Sequence, residues 1–481
     1  MKNELLLALA VFTPTIGAFG LPLLGSVSLR FRNVVAFCLV FVSLVCSLAL
    51  VRSAAAGHPA TFSVALPFGL NFILLADGLA VFTAIVSSLV SAIIVFYSTS
   101  YISHYDHQDE YYLMVVLFLG GMMGLVFSRN LIWLYVFWEI TAITSWRLIG
   151  FFREKAHVVR ADKAFLVTVF GALAMLLGFI ALYAQTGSFD LAVIKQTLNG
   201  KPLTTVVGAL ILLGILSKSA TLPFHTWLPD AGVAPSPVTA LLHAAVLVKI
   251  GVYVFARLFI VTFAMNEFCH TALLVVAALS ALVSAGAALI ETDLKRIIAY
   301  STVSQIAFIF LGFAVGNEVG IAGALLFILM HGLAKGGLFL CAGIVEQNTG
   351  TKDIRQLGGL IRTMPVTAVS FLFCAFSVMG IPPFGGFFSK YMVISGAVQG
   401  APLWIALAFL AASFMTILYL LRLFNMIFLG EPKSAPVNEG SPIMVSSVAL
   451  LAALSLVAGI FINAPSGFAR SAVQQMLGMV R

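Results

Sequence analysis

The chain has 481 residues, of which 61% are hydrophobic and 9% charged, with 26 basic against 18 acidic residues and a formal net charge of +8. Soluble domains carry about 25% charged residues, so this composition describes a polytopic membrane protein. The basic residues are scattered between apolar runs, which excludes a nucleic-acid footprint, and no Cys-x-x-Cys pair joins Cys38, Cys46, Cys269, Cys341 or Cys374, which argues against a disulfide scaffold or a cysteine-held metal centre.

A membrane span takes about 17 to 25 apolar residues. Fourteen runs qualify, at 4–24, 33–51, 73–100, 112–128, 130–151, 164–184, 204–220, 237–258, 271–290, 296–315, 319–346, 365–399, 402–429 and 443–463. The first run has no small-residue cleavage site before Arg30 and reads as a retained helix. Between spans three and four, Tyr101 to Tyr112 holds His104, Asp106, His107, Asp109 and Glu110, a set better explained as a solvated loop than as a metal site. With residue 1 on one face, that face has eight basic residues, including Arg129, Arg257 and Arg481, and the opposite face twelve, including Lys295 and Arg296. The positive-inside rule then puts both termini outside the cytoplasm, in a multi-pass protein of the cell inner (cytoplasmic) membrane.

Two spans are interrupted. Leu216 to Pro229 reads LSKSATLPFHTWLP and Ser377 to Lys390 reads SVMGIPPFGGFFSK. Proline removes a helix donor and glycine loosens the backbone, so each segment is expected to be two half-helices joined by an extended stretch. The breaks fall in spans seven and twelve, five apart, which suggests inverted repeats of spans four to eight and nine to thirteen. The chain then divides into N-terminal helices (1–110), a first repeat (111–260), a second repeat (261–430) and a last helix with its tail (431–481). Two unrelated proline kinks are the competing explanation.

Six basic residues fall inside the spans: Arg147, Lys218, Lys249, Lys335, Lys390 and Arg422. Arg422 and Arg147 are placed to reach an interface along their stems. A charge at the bilayer centre costs about 2.5–3.5 kcal/mol, so four buried lysines point to function. Desolvation disfavours the ammonium form and makes such a lysine a station that accepts and releases protons. Glu139 is the mid-span acid and the candidate counter-charge. Closing a Glu–Lys pair from about 10 to about 4 Å at a dielectric near 20 strengthens its attraction by roughly 2.5 kcal/mol. That matches one charge moved through about 100 mV. His331 and Lys335 stand at i and i+4, on one helical face, while His243 and Lys249, six apart, need water or another helix to connect them. His225 and Asp230 sit at the first break and are weaker candidates. No dinucleotide-binding glycine loop and no phosphate loop is present, so the driving energy comes from a partner or an ion gradient.

The stretches LSKSATLPFHTWLPDAGVAPSPVTALLHAAVLVKIGVYVFAR, ETDLKRIIAYSTVSQIAF, MHGLAKGGLFLCAGIVEQNTGTKDIRQLGGL and SVMGIPPFGGFFSKYMV resemble the antiporter-like subunits shared by respiratory complex I, Mrp-type cation/proton antiporters and membrane-bound [NiFe]-hydrogenases of the formate hydrogenlyase type. The likeness covers about residues 110 to 430. It implies an all-α fold of about fourteen transmembrane helices, with two inverted five-helix repeats and proton translocation along a polar axis at mid-membrane. Glu139, after Trp138, matches the family's span-five glutamate, and Lys218 its lysine before the first break. His243 and Lys249 match the span-eight pair, His331 and Lys335 the span-eleven pair, and Lys390 the charged residue after the second break. Arg147 departs from the pattern, since similar members carry an uncharged residue there, and it competes on paper with Lys218 for Glu139.

The 18 residues after the last run leave no room for the long lateral helix of the largest complex I member, and lysine at 390 departs from the glutamate of another complex I subunit type. Motif spelling looks most similar to the D-type subunit of hydrogenase four. The expected function is therefore a non-catalytic, proton-translocating subunit of a redox-driven complex, with no cofactor in this chain. The partners implied are other membrane subunits, lipids and a peripheral arm carrying iron–sulfur clusters and NiFe. The alternatives are a subunit of a Na+/H+ antiporter without redox partners, a complex I proton-channel subunit, and a non-pumping scaffold, against which the lysine axis weighs.

Overall fold

The computed structural model describes residues 2–433 and 438–479; Arg481, one of the basic residues in the charge asymmetry, lies outside them. Among the described residues, eleven helices are long and apolar enough to cross a membrane. The other predicted spans are the helix Leu131–Ile149, which carries Glu139 and Arg147, the short helix Thr205–Lys218, and the pair Pro365–Met379 and Gly385–Gly400. Each of the fourteen predicted runs thus has its helix or helix pair.

Helix starts are set by side chains that accept the free N–H groups of a first turn. Asp77 caps Ala80 N, Asn130 caps Ile132 N, Asn266 caps Cys269 N, Asp293 caps Arg296 N and Asn317 caps Gly320 N. Span three begins later than its apolar run. Residues Phe72–Ala76 form a strand, paired antiparallel with Ala60–Val64 in the register Ala60↔Ala76, and the helix starts only at Gly78. A short apolar run preceding a longer one carries no periodicity that separates strand from helix.

Both interruptions are real. Thr205–Lys218 ends before an irregular stretch that resumes as short turns at Phe224–Thr226 and Trp227–Asp230, and Pro365–Met379 is separated from Gly385–Gly400 by Gly380 to Phe384. Span eight, Ser236–Thr262, is irregular too, with π-helical turns at Leu241–Ala245 and Ala256–Thr262. The most enclosed helices are Ser236–Thr262, Leu294–Ala314 and Glu318–Thr349, which form the centre. At the periphery, Lys155–Thr186 turns Leu166, Phe170, Leu173 and Leu177 outward, and Leu403–Phe428 does so with Leu407, Leu410, Phe414 and Leu418. This helical spacing gives each a lipid-facing stripe.

Arg257, a loop cation by its place at the end of an apolar run, is buried at the end of span eight. It is paired with Asp77, its Nη2 lying 2.8 Å from both Asp77 Oδ1 and the Tyr253 hydroxyl. Lys295 is likewise buried, 2.5 Å from Glu346. Removing one partner of a buried pair leaves an uncompensated charge, at a cost of about 3–5 kcal/mol. Asp77→Leu should therefore lower the thermal unfolding midpoint of the detergent-solubilised protein, and Asp77→Leu with Arg257→Leu should recover part of the loss. An unchanged midpoint in Asp77→Leu would contradict the pairing.

Candidate functional site

The first half of the site joins Leu131–Ile149 to the helix before the first break. Lys218 is fully buried at the C-terminal end of Thr205–Lys218; its Nζ donates to Trp138 O at 3.2 Å and lies 5.2 Å from the centroid of the Trp138 ring. The neighbouring Glu139 is half-buried, hydrogen-bonded to Tyr135 and within electrostatic reach of Lys218, while its buried Oε1 has no partner. The structure thus brings Glu139 and Lys218 together, with Lys218 resting on a main-chain carbonyl rather than on the carboxylate. Arg147 does not compete for Glu139. Its guanidinium is paired with Glu110, Nη2 to Oε2 at 2.9 Å, and Arg153 reaches the same carboxylate at 2.6 Å. Asp109 accepts from Arg32 at 2.6 Å; it and Glu110 stand in the first turn of the helix Gln108–Phe127 and are ion-paired, where the sequence suggests a solvated loop.

Span eight supplies the centre. The π-helical turn at Leu241–Ala245 advances the register, and the fully buried Lys249 reaches back to donate to Ala244 O. The 120° offset expected between His243 and Lys249 on a regular helix therefore does not apply. The His243 ring lies against Phe339, centroids 4.4 Å apart and tilted by 35°, with both ring nitrogens unpaired. A Cβ on Gly332 of span eleven would stand 2.7 Å from Lys249 Nζ, so the amine lies against the second repeat beside His331.

In the second half, His331 and Lys335 are both buried on Glu318–Thr349 but make no bond to each other. Lys335 Nζ turns to Leu294–Ala314 and donates to Ser301 Oγ at 2.5 Å and Ile298 O at 3.1 Å. His331 has both ring nitrogens unpaired and lies within electrostatic reach of Lys249, Lys335, His243 and Lys390. Lys390, past the second break, donates to Met379 O at 3.5 Å and lies 5.0 Å from the centroid of the Phe308 ring.

The weaker candidates have other surroundings. Asp230 is clamped between Lys163 at 2.7 Å and Arg296 at 2.6 Å. Burial alone would raise its carboxyl, but hydrogen bonds from these two cations outweigh that and hold it below the usual range. His225 lies half-buried in the turn after the first break, its Nδ1 unpaired. Arg422 caps the end of Glu267–Ile290 by donating to Leu289 O at 2.7 Å. Sequence patterns do not disclose Ser301, Tyr419, Asp77 or the Lys295–Glu346 pair, since single hydroxyls in apolar helices and charges at run ends carry no distinctive spacing. Among the described residues, no group of His, Cys, Asp and Glu is arranged to hold a metal ion.

Residues 128–416 match the family described as NADH:quinone oxidoreductase/Mrp antiporter, TM. The A1-type subunit of the Na(+)/H(+) antiporter of Staphylococcus saprophyticus is 36% identical over 430 residues, and the A-type subunit of the Na(+)/H(+) antiporter of Alkalihalophilus pseudofirmus is 36% identical over 429. Each alignment covers 82% of this chain and 53% of the relative, so the chain spans about half the length of these curated relatives. In fold, it matches a chain of the Mrp complex from Dietzia sp. DQ12-45-1b, with a TM-score of 0.90 and 23% identity, covering 99% of this chain and 98% of that one. A chain of the membrane-bound sulfane sulfur reductase, an archaeal respiratory membrane complex, gives a TM-score of 0.90 at 24% identity, covering 98% and 97%.

The seat of Lys249 against Gly332 makes a direct test. Gly332→Ala would put a methyl 2.7 Å from the amine, closer than a carbon contact allows, and push the amine off its seat at Ala244 O. If this axis conducts protons, ion exchange should fall about a hundredfold, the lower range for a positioned proton-transfer group, while the protein remains folded and assembled. Undiminished exchange would show that the seat of the amine does not matter.

Proposed function

The chain belongs to the NADH:quinone oxidoreductase/Mrp antiporter transmembrane family, and we propose that it is the proton-conducting subunit of a multi-subunit cation/proton antiporter. The observation that carries this reading is the row of four buried lysines, Lys218, Lys249, Lys335 and Lys390, all bonded to main-chain carbonyls. In this reading Glu139 tunes Lys218, Lys249 joins the two repeats with His243 and His331, and Lys335 and Lys390 complete the second half. Exchange of Na+ for H+ is supported by the relatives, which are Na(+)/H(+) antiporter subunits, and this favours the antiporter alternative over the redox-driven complex and over the D-type hydrogenase likeness.

Assembly with other membrane subunits is supported by Glu139 itself. It lies half-buried near Val136 and Ile143, which are 39% and 51% exposed, on a face that a neighbouring subunit would cover. The inner membrane, with both termini outside the cytoplasm, is part of the same proposal. A second reading, a redox-driven complex whose partners carry iron–sulfur clusters or NiFe, is favoured by one observation, the shared fold with the sulfane sulfur reductase chain.

Glu139→Gln and Lys218→Ala should each abolish cation-driven proton exchange in vesicles containing the assembled complex, because the pair sets the proton affinity of the lysine. Normal exchange in both, with normal assembly, would overturn the assignment. The complex purified through a tag on this chain should contain other polytopic subunits and no stoichiometric iron. Iron in that complex would favour the redox reading instead.

A further inference from the structure

Span ten, Leu294–Ala314, and span thirteen, Leu403–Phe428, meet through four buried polar side chains that the lysine axis does not account for. Ser301 and Gln305 stand at i and i+4 on one helix, and Thr416 and Tyr419 at i and i+3 on the other. Tyr419 donates to Ser301 Oγ at 2.6 Å, the atom that also accepts from Lys335 at 2.5 Å. The Tyr419 hydroxyl is 3.3 Å from Thr416 Oγ1, and Gln305 Nε2 donates to the same Thr416 oxygen at 3.2 Å. Thr416 spends its own proton on Ala412 O at 2.8 Å, so it is an acceptor that fixes the other two.

At the far end, Gln305 lines a small cleft with Phe327, Met330, His331, Ser377 and Gly386, against the second helix break. Four buried polar atoms of its lining have no hydrogen-bond partner: Gln305 Oε1, Ser377 Oγ and both ring nitrogens of His331. Burying a polar group without a partner is costly, and such a cluster around one cleft is the setting in which an ordered water satisfies several groups at once.

We propose that Ser301 and Tyr419 form a hydroxyl relay carrying protons between Lys335 and a water held in this cleft, with Thr416 and Gln305 as positioning residues. The inference rests on the reading of this chain as proton-conducting and adds a lateral route through spans ten and thirteen. With Lys335 as the free amine, Ser301 gives its hydroxyl proton to Nζ and takes that of Tyr419, whose oxygen is reprotonated by water entering past Gln305, the residue shared by the Tyr419 cluster and the cleft. The water is restored by the Lys390 ammonium, one helical turn beyond Gly386. One proton leaves Lys390 and one appears on Lys335, with both hydroxyls regenerated but pointing the other way; the reverse hops return the proton directly, and the hydroxyls rotate back before a second proton follows in the same direction.

The test uses the assembled complex in liposomes, comparing Tyr419→Phe, Ser301→Ala, Ser301→Thr and Lys335→Ala by proton flux in H2O and D2O. Tyr419→Phe removes one oxygen and little else. It should cut proton flux by about a hundredfold, the lower range for losing a positioned proton-transfer group, as should Ser301→Ala. Ser301→Thr, which keeps the hydroxyl, should retain most of the flux and its solvent isotope effect, a rescue that a packing role would not produce. If Lys335→Ala abolishes flux while Tyr419→Phe and Ser301→Ala leave it undiminished, the relay is wrong and the lysine axis stands. Undiminished flux in all three would overturn the proton-conducting reading itself. If Tyr419→Phe fails to assemble, the Ser301→Ala and Ser301→Thr pair decides alone: equal flux in the two rejects the relay.

Discussion

The structure turns on one electrostatic constraint: four ammonium groups are buried in a low-dielectric interior and, among the described residues, no carboxylate is bonded to any of them. Each instead donates to a main-chain carbonyl, Lys218 to Trp138, Lys249 to Ala244, Lys335 to Ile298 and Lys390 to Met379. A neutral acceptor stabilises the charged form less than a carboxylate would, so the protonated and neutral states of each lysine stay closer in free energy. Helix irregularity frees at least two of these carbonyls. Ala244 belongs to the π-helical turn of span eight, and Met379 ends the half-helix before the second break, where Gly380 takes φ +85°. The departures from regular helix are therefore part of how the charges are held, as expected for irregular backbone at membrane depth.

The same constraint explains which parts are legible in the sequence. Lysines inside apolar runs stand out because their burial is costly, and proline–glycine clusters stand out because they cannot continue a helix; both signals lead to residues that the structure places at the centre. Residues whose meaning depends on a distant partner are not legible. Asp77 falls near the start of the third apolar run and Arg257 at the end of the eighth, far apart in sequence with nothing to relate them, yet they form a buried pair. Arg147 looks like a rival for Glu139, and only the fold shows Glu110 within its reach. Ser301 and Tyr419 are ordinary residues for an apolar helix until spans ten and thirteen bring their hydroxyls to 2.6 Å. The π-helical turn that contains His243 leaves no trace, because its other residues, Leu241, Leu242, Ala244 and Ala245, are ordinary for a regular apolar helix.

Family membership and mechanism rest on different observations. The match over residues 128–416 and the 36% identity to A-type antiporter subunits fix the family, whereas the solved complexes at 23% and 24% identity speak to fold. The relatives are about twice as long as the aligned region, so whatever their remaining length contributes is not carried by these spans. What this chain holds is a series of titratable groups from the partly exposed Glu139 to Lys390 after the second break. Its two halves meet where Lys249 lies against Gly332.

That meeting point offers the most direct test of the account. In the proposed axis Lys249 is the lysine that links the first repeat to the second, so Lys249→Met in the otherwise intact complex isolates the link. Cation/proton exchange measured in vesicles should be lost across the pH range, with assembly and thermal stability close to wild type. Exchange at wild-type rates in an assembled Lys249→Met complex would contradict the claim that the buried lysine axis carries the proton.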